Sequence, residues 1–194
     1  MKNKHVKSLL EKLNDYCARA LENAAAFAST RTHYEVSVDH FVIKLMEEGG
    51  SDLARVLDHY QIDQDRLWQG ILEQLARYPS NNQGKPGFSP VLFQWLERAY
   101  IAASLHYGMD QIRSIALLDA LVEMSPSLPG TAYQVLDNIS LDDLRKQFRD
   151  IIDGSVEASS YQPPVLVSIT STKTRSAKSA AKKSDTSTAP SAAQ

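Results

Sequence analysis

The sequence predicts an all-α fold: one four-helix unit repeated about a pseudo-twofold axis, with an extra amino-terminal helix and a disordered carboxyl tail. Three observations lead there. The first is duplication. With Leu13 set on Phe88, the pairs Leu21/Leu96, Glu22/Glu97, Ala24/Ala99, Ala28/Ala103 and Ser29/Ser104 follow at one offset. One inserted residue later come Val36/Ile112, Phe41/Leu117, Leu45/Leu121 and Glu47/Glu123. Ala54/Ala132 and Val56-Leu57-Asp58 against Val135-Leu136-Asp137 then continue the match with a small register change. Self-similarity of this kind marks a supersecondary unit that buries its apolar face on its twin, and the seam between two twins is where a groove tends to form. The second observation is periodicity: apolar residues recur at helical spacing, and no Val/Ile/Thr run alternates strictly as an exposed strand does. The third is a composition break. From Ser168 onward the chain is almost entirely Ser, Thr, Ala and Lys, with no aromatic residue after Tyr161. Such a segment cannot bury enough apolar area to offset its ordering entropy.

The organisation that follows is a leading amphipathic helix over 1–12, a first repeat over 13–78, a connector over 79–87, a second repeat over 88–154, and a flexible linker over 155–194. Val6, Leu9, Leu10 and Leu13 form the stripe of the leading helix. Asn14 caps the next helix, with Leu13 before it as a staple. That helix presents Ala18, Leu21, Ala24, Ala25 and Ala28, small side chains that let a neighbour approach closely. Ser37 caps a helix through Phe41 and Leu45 that stops at Gly49-Gly50. Ser51 and Asp63 open two more, and the second ends before Pro79. The connector holds Pro, Gly and Asn without periodicity. In the second half Ser89-Pro90 is a cap and first-turn pair, because Pro has no N–H to leave unsatisfied there. Helices through Trp95, through Leu118, over Tyr133–Leu136 and from Ser140 to before Gly154 complete a count of eight, plus the leading one.

Charge narrows the function. Residues 155–194 carry five basic and two acidic side chains, leaving 16 basic against 21 acidic in the body. An acidic body argues against a nucleic-acid surface, which needs clustered Lys and Arg. The sparse cluster Lys173, Arg175, Lys178, Lys182 and Lys183 reads as a solvated tether, with an anionic or RNA contact as its alternative. No stretch approaches the ~20 apolar residues of a membrane span. The amino end is too charged for a signal peptide, and one cysteine allows no internal disulfide. A cytoplasmic protein is expected.

Catalytic constellations are missing. Gly84-Lys85 is the single Gly-Lys pair and does not sit in GxxxxGK[ST], so no nucleotide cradle is expected; GxGxxG and GxSxG are also absent. His5, His33, His40, His59 and His106 fall into no zinc spacing, and His40 reads as a hydrogen-bonded structural residue. Cys17, in the first turn of its helix, reads as an unreactive thiol, although a helix dipole there lowers a thiol pKa. No metal and no cofactor are expected in this chain. Apolar surface is what remains. The leading stripe is read both as packing onto the body and as one wall of a groove that accepts a helix at i, i+3, i+4, i+7. The candidate groove residues are Val6, Leu9, Leu10, Leu13, Tyr16, Phe88, Val91, Leu92 and Trp95. Trp and Tyr anchor interfaces because they bury large area with few rotatable bonds; for Trp95 a core position is the competing reading.

The duplicated unit of about 75 residues followed by a tether resembles the amino-terminal domain of Clp-type AAA+ unfoldases. Residues 20–47, ALENAAAFASTRTHYEVSVDHFVIKLME, look like that family's first repeat, with His40-Phe41-Val42 departing mildly from its "HLL" helix. Ser29 to Val36 and the extra leading helix resemble the ClpV branch, the ATPase of type VI secretion systems. The resemblance implies a substrate-recognition domain that binds the amino-terminal helix of a VipB-like sheath protein. ATP and Mg would belong to downstream AAA+ rings, hexameric in the parent protein, and not to this chain. The alternatives are a general Clp amino-terminal domain that binds unfolded proteins or an adaptor, a small helical enzyme using Cys17 or His40, and a nucleic-acid role for the tail.

Overall fold

A computed structural model describes residues 2–158; the expected tether from 159 onward lies outside the described residues. The chain forms α1 (Lys2–Leu10), α2 (Asp15–Thr30), α3 (Val38–Glu47), α4 (Asp52–His59), α5 (Gln64–Ala76), α6 (Pro90–Leu105), α7 (Ser114–Met124) and α8 (Leu141–Ile151). Two 3₁₀ segments, Ser125–Ser127 and Ala132–Asn138, lie between α7 and α8. The expected all-α duplicated architecture is present, with the third helix pair, α4 and its counterpart, represented by a 3₁₀ segment on one side. Asn14, Ser51, Asp63, Ser89 and Ser140 act as N-caps, each side-chain oxygen accepting a backbone N–H three residues on.

The repeat can be tested atom by atom at the seam. Two two-residue strands, β1 (Glu35–Val36) and β2 (Gly87–Phe88), pair in parallel with Val36 opposite Phe88. Leu13 forms a parallel bridge with Ile112. The repeat register maps Val36 onto Ile112 and Leu13 onto Phe88, so one bridge is the image of the other. Their flanking bonds match too: Ser89 N–H donates to the Val36 carbonyl at 3.0 Å, and Asn14 N–H to the Ile112 carbonyl at 3.0 Å. These strands are too short for alternation to show, so periodicity does not reveal them.

Each half packs its alanine-faced helix on the next, α2 on α3 and α6 on α7. Ala24, Ala28, Ala99 and Ala103 are fully buried there. The halves share one core. The Phe41 and Trp95 rings meet edge to face at 5.4 Å, and the indole N–H donates to the Leu117 carbonyl at 2.8 Å. Burying Trp is stabilising only with that donor satisfied; emptying such a site costs about 3–5 kcal/mol. A Cβ at Gly70 would meet Ala132 at 3.0 Å, so α5 lies on the second 3₁₀ segment with no room for a side chain.

One boundary differs from expectation. Composition places residues 155–158 in the linker, yet Ser155 and Glu157 are buried in the body. The Glu157 carboxylate accepts from the Asn14 side chain at 2.7 Å, the Asp52 N–H at 2.9 Å and the Ser114 N–H at 3.0 Å. It also accepts from the Ser114 hydroxyl. Beside it Arg113 makes a two-pronged pair with Asp52 at 2.7 and 2.6 Å. Two carboxylates thus share a buried site with one guanidinium, and burial, with Glu157 nearby, pushes the Asp52 carboxyl up to about 6.

Candidate peptide-binding site

The leading helix is docked. Leu9 is buried while Val6 and Leu10 are half-buried. Ile112 N–H donates to the Lys12 carbonyl at 2.7 Å, His5 Nε2 lies 2.8 Å from a Glu97 carboxylate oxygen, and the Lys12 ammonium sits 5.5 Å over the Tyr100 ring. Both contacted side chains belong to α6, so α1 rests on that helix. Phe93, one turn before Glu97 on the same face, is half-buried and meets the Phe88 ring at 5.8 Å.

The nine residues expected to line one groove do not act together. Leu9, Leu13, Tyr16, Leu92 and Trp95 are core residues with 6% exposure or less. Tyr16 spends its hydroxyl on the Leu45 carbonyl at 2.6 Å. An amphipathic stripe shows which side of a helix is apolar and not whether a neighbour covers it, so these five cannot be told from groove residues by spacing. Four reach the surface: Val6 and Leu10 on α1, Phe88 (37% exposed) on β2, and Val91 (42% exposed) in the first turn of α6. Farther along α6, Ile101 and Leu105 are also exposed. They share a face of α6 with Phe93 and Glu97, at intervals of four residues, and Glu97 is where α1 touches it.

A second feature lies at the seam, with a lining largely outside the nine expected residues. A cleft of about 430 Å³ opens at the seam, walled by Tyr34, Val38, Pro79, Val91, Leu128 and Pro129. Only Val91 belongs to the expected set. The cleft's polar side is built by α3 and the turn before it. Asp39, buried, accepts from the Tyr133 hydroxyl at 2.5 Å and from Tyr78, and burial raises its carboxyl above the usual range. His33 Nδ1 and His40 Nε2 lie 2.8 Å apart, and His40 Nδ1 accepts the Ser37 N–H at 3.1 Å. Since Nδ1 accepts, the His40 proton is on Nε2 and is donated to His33. This is a reciprocal cap in which histidine takes the place usual for Glu. Burial, with His33 alongside, lowers His40 to about 4, and burial lowers His33 as well. The expected structural role of His40 is what the geometry displays. The one visible sequence signal for the cleft was an aromatic, Tyr34, in a loop that opens a capped helix.

Cys17 is fully buried, and burial together with Glu157 pushes its thiol well above the ordinary value, so the thiolate that a nucleophile requires is suppressed. Among the described residues no group of three or more His, Cys, Asp or Glu is placed to hold a metal ion. No helix of the described residues is long and apolar enough to cross a membrane.

Known proteins share this arrangement. Chaperone protein ClpB of Yersinia enterocolitica is 28% identical over 154 residues, 78% of this chain and 17% of that protein. The AAA+ ATPase ClpV1 of Pseudomonas aeruginosa is 28% identical over 121 residues, 62% of this chain and 13% of that protein. The chain therefore spans less than a fifth of the length of either curated relative. The solved N-terminal domain of ClpV1 from E. coli EAEC (Sci1 type VI secretion system) superposes with a TM-score of 0.75 at 34% identity, covering 80% of this chain and 95% of that one. A ClpV N-domain solved in complex with a VipB peptide superposes at 0.70 with 28% identity, covering 78% and 93%. A family model described as the Clp repeat (R) N-terminal domain matches residues 12–127, the stretch that holds both images of the seam bridge, and the chain belongs to that family.

Proposed function

We propose that this chain is the substrate-recognition domain of a ClpV-like ATPase, and that it holds a short helix of a VipB-like sheath protein so that contracted type VI secretion sheaths are taken apart and reused. The observation that carries this reading is the partly exposed apolar set of Val6 and Leu10 on α1 with the Phe88–Phe93 ring pair next to the face of α6 on which α1 rests, on a fold shared with an N-domain solved with such a peptide. A helix laid there would bury aliphatic side chains at i, i+3, i+4 and i+7 without any unpaired backbone group. The chain makes and breaks no bonds in this scheme. ATP and Mg are used by downstream AAA+ rings of a hexameric parent, and the work takes place in the cytoplasm without nucleic acid or membrane.

Titration of a labelled amino-terminal peptide from the cognate sheath protein tests the reading. Saturable binding is expected, weakened at least about tenfold, or ~1.4 kcal/mol, by Leu10→Asp or Phe88→Asp, because a charge in an apolar contact must be desolvated without a partner. Both positions are partly exposed, so thermal melts should stay near the parent value. Absence of saturable binding, or indifference to both substitutions, would refute it.

A further inference from the structure

The pseudo-twofold seam carries two equivalent crevices, one filled and one open. In the filled crevice the segment 155–158 lies along the seam. Val156 N–H donates to the Gly50 carbonyl at 2.9 Å, and Glu157 caps the Ser114 and Asp52 amides while taking the Asn14 side chain. The repeat register carries Asn14 onto Ser89 and Ser114 onto Val38; the offset of Ala54 to Ala132 carries Gly50 and Asp52 onto Leu128 and Gly130. Ser89, Val38 and Leu128 line the 430 Å³ cleft, with Pro129 next to Gly130. The open cleft is therefore the image of the seat that the chain fills with its own residues on the other side. It stays open because the chain after α5 takes a different course. Asn81 N–H donates to the Thr32 hydroxyl at 3.0 Å and Asn82 N–H to the Thr32 carbonyl at 2.9 Å, which leads the connector to β2.

We propose that the open cleft is a second binding site, taking a short apolar turn of another protein that carries a basic residue, seated in it as residues 155–158 are in its twin. The charge follows from comparing the seats. Arg113 stands beside the filled seat, next to the acidic pair of Asp52 and the occupant Glu157. The register puts Ser37 where Arg113 stands, and the ionisable side chains lining the open cleft are Glu35, Asp39 and His33. Such a seat repels a carboxylate and attracts an ammonium or guanidinium. Its apolar walls, Tyr34, Val91, Leu128 and Pro129, accept aliphatic side chains. The occupant is a short turn and not a helix, because residues 155–158 form a turn closed by the Ala158 N–H on the Ser155 carbonyl at 3.0 Å and bond through the backbone, Val156 N–H to Gly50. This site is independent of the sheath-helix reading and shares no residue with the surface beside α1.

The test uses the full chain and two blocked, fluorescent hexapeptides, Lys-Val-Leu-Val-Pro-Lys and a counterpart with Glu in place of both Lys. Polarisation titration should give saturable binding of the basic peptide and at least tenfold weaker binding of the acidic one. Tyr34→Ser and Leu128→Ser should each weaken the basic peptide severalfold. Leu10→Asp, which disables the surface beside α1, should leave it unchanged. Glu35 is exposed and outside the core, so Glu35→Lys tests charge without risk to folding and should narrow or reverse the preference. No saturable binding, equal affinity for both peptides, or indifference to Tyr34→Ser, Leu128→Ser and Glu35→Lys would overturn the proposal. The sheath-peptide titration is unaffected by any of these results, so the two readings fail separately.

Discussion

His40 shows how one side chain can set a pH dependence without any catalytic part. Its ring is fully buried, bonded on one side to Ser37 and on the other to His33, and it titrates near 4 in place of its ordinary 6.5. As pH falls below 6.5 the unfolded chain takes up a proton there while the folded chain does not, so stability declines until pH 4 is reached. From pH 7 to 5 this amounts to roughly 2 kcal/mol. Asp39 and Asp52 work in the opposite sense, since carboxyls raised by burial add stability on acidification. Comparison with His40→Gln isolates the histidine: the variant should lose distinctly less stability than the parent between pH 7 and 5 in chemical denaturation. Equal slopes would mean that the imidazole titrates normally in the fold.

At the scale of elements, α1 is fixed by few contacts. Leu9 is its buried anchor, and the bonds at Lys12 and Asn14 belong to the seam that follows it. A chain beginning at Lys12 should therefore keep its cooperative fold. It should lose about 2–5 kcal/mol, the usual cost of removing a buried Leu with its partly buried neighbours, while sheath-peptide affinity falls far more than this loss of stability would suggest. A circular-dichroism melt beside a binding titration separates the two. The helix α6 has the reverse character: its Leu92, Trp95, Leu96 and Ala99 are core, and what it offers partners is its outer face, from Phe93 past Ile101 to Leu105, and Val91 at the cleft. Its pattern showed the inner face plainly and left the outer one looking like ordinary surface.

For the whole molecule, Glu157 is a clamp. It joins Asn14 and Asp52 of the first half to Ser114 of the second, so the last residues of the body hold both repeats together. A chain ending at Gly154 would leave those donors buried without an acceptor, whereas one ending at residue 160 would not. The shorter chain should be less stable by about 3 kcal/mol, a fall on the order of 10 °C in Tm for a domain of this size. Glu157→Gln, which keeps the shape and one acceptor, should lie between them. Matching melts for the two truncations would show that the clamp contributes nothing.

The all-α class, the caps at Asn14, Ser51, Asp63, Ser89 and Ser140, and the duplication itself were legible in the residues, because each depends on local spacing or on comparing the chain with itself. Only the tertiary structure decided which apolar residues face solvent. Leu92 and Val91 are neighbours in sequence, and one is core while the other walls a cleft. It also decided that the body runs on through Glu157, since a single acid within a Ser- and Ala-rich stretch gives no sign of the donors waiting for it on distant turns. Periodicity describes one element at a time; burial and charge pairing are set by what folds against it.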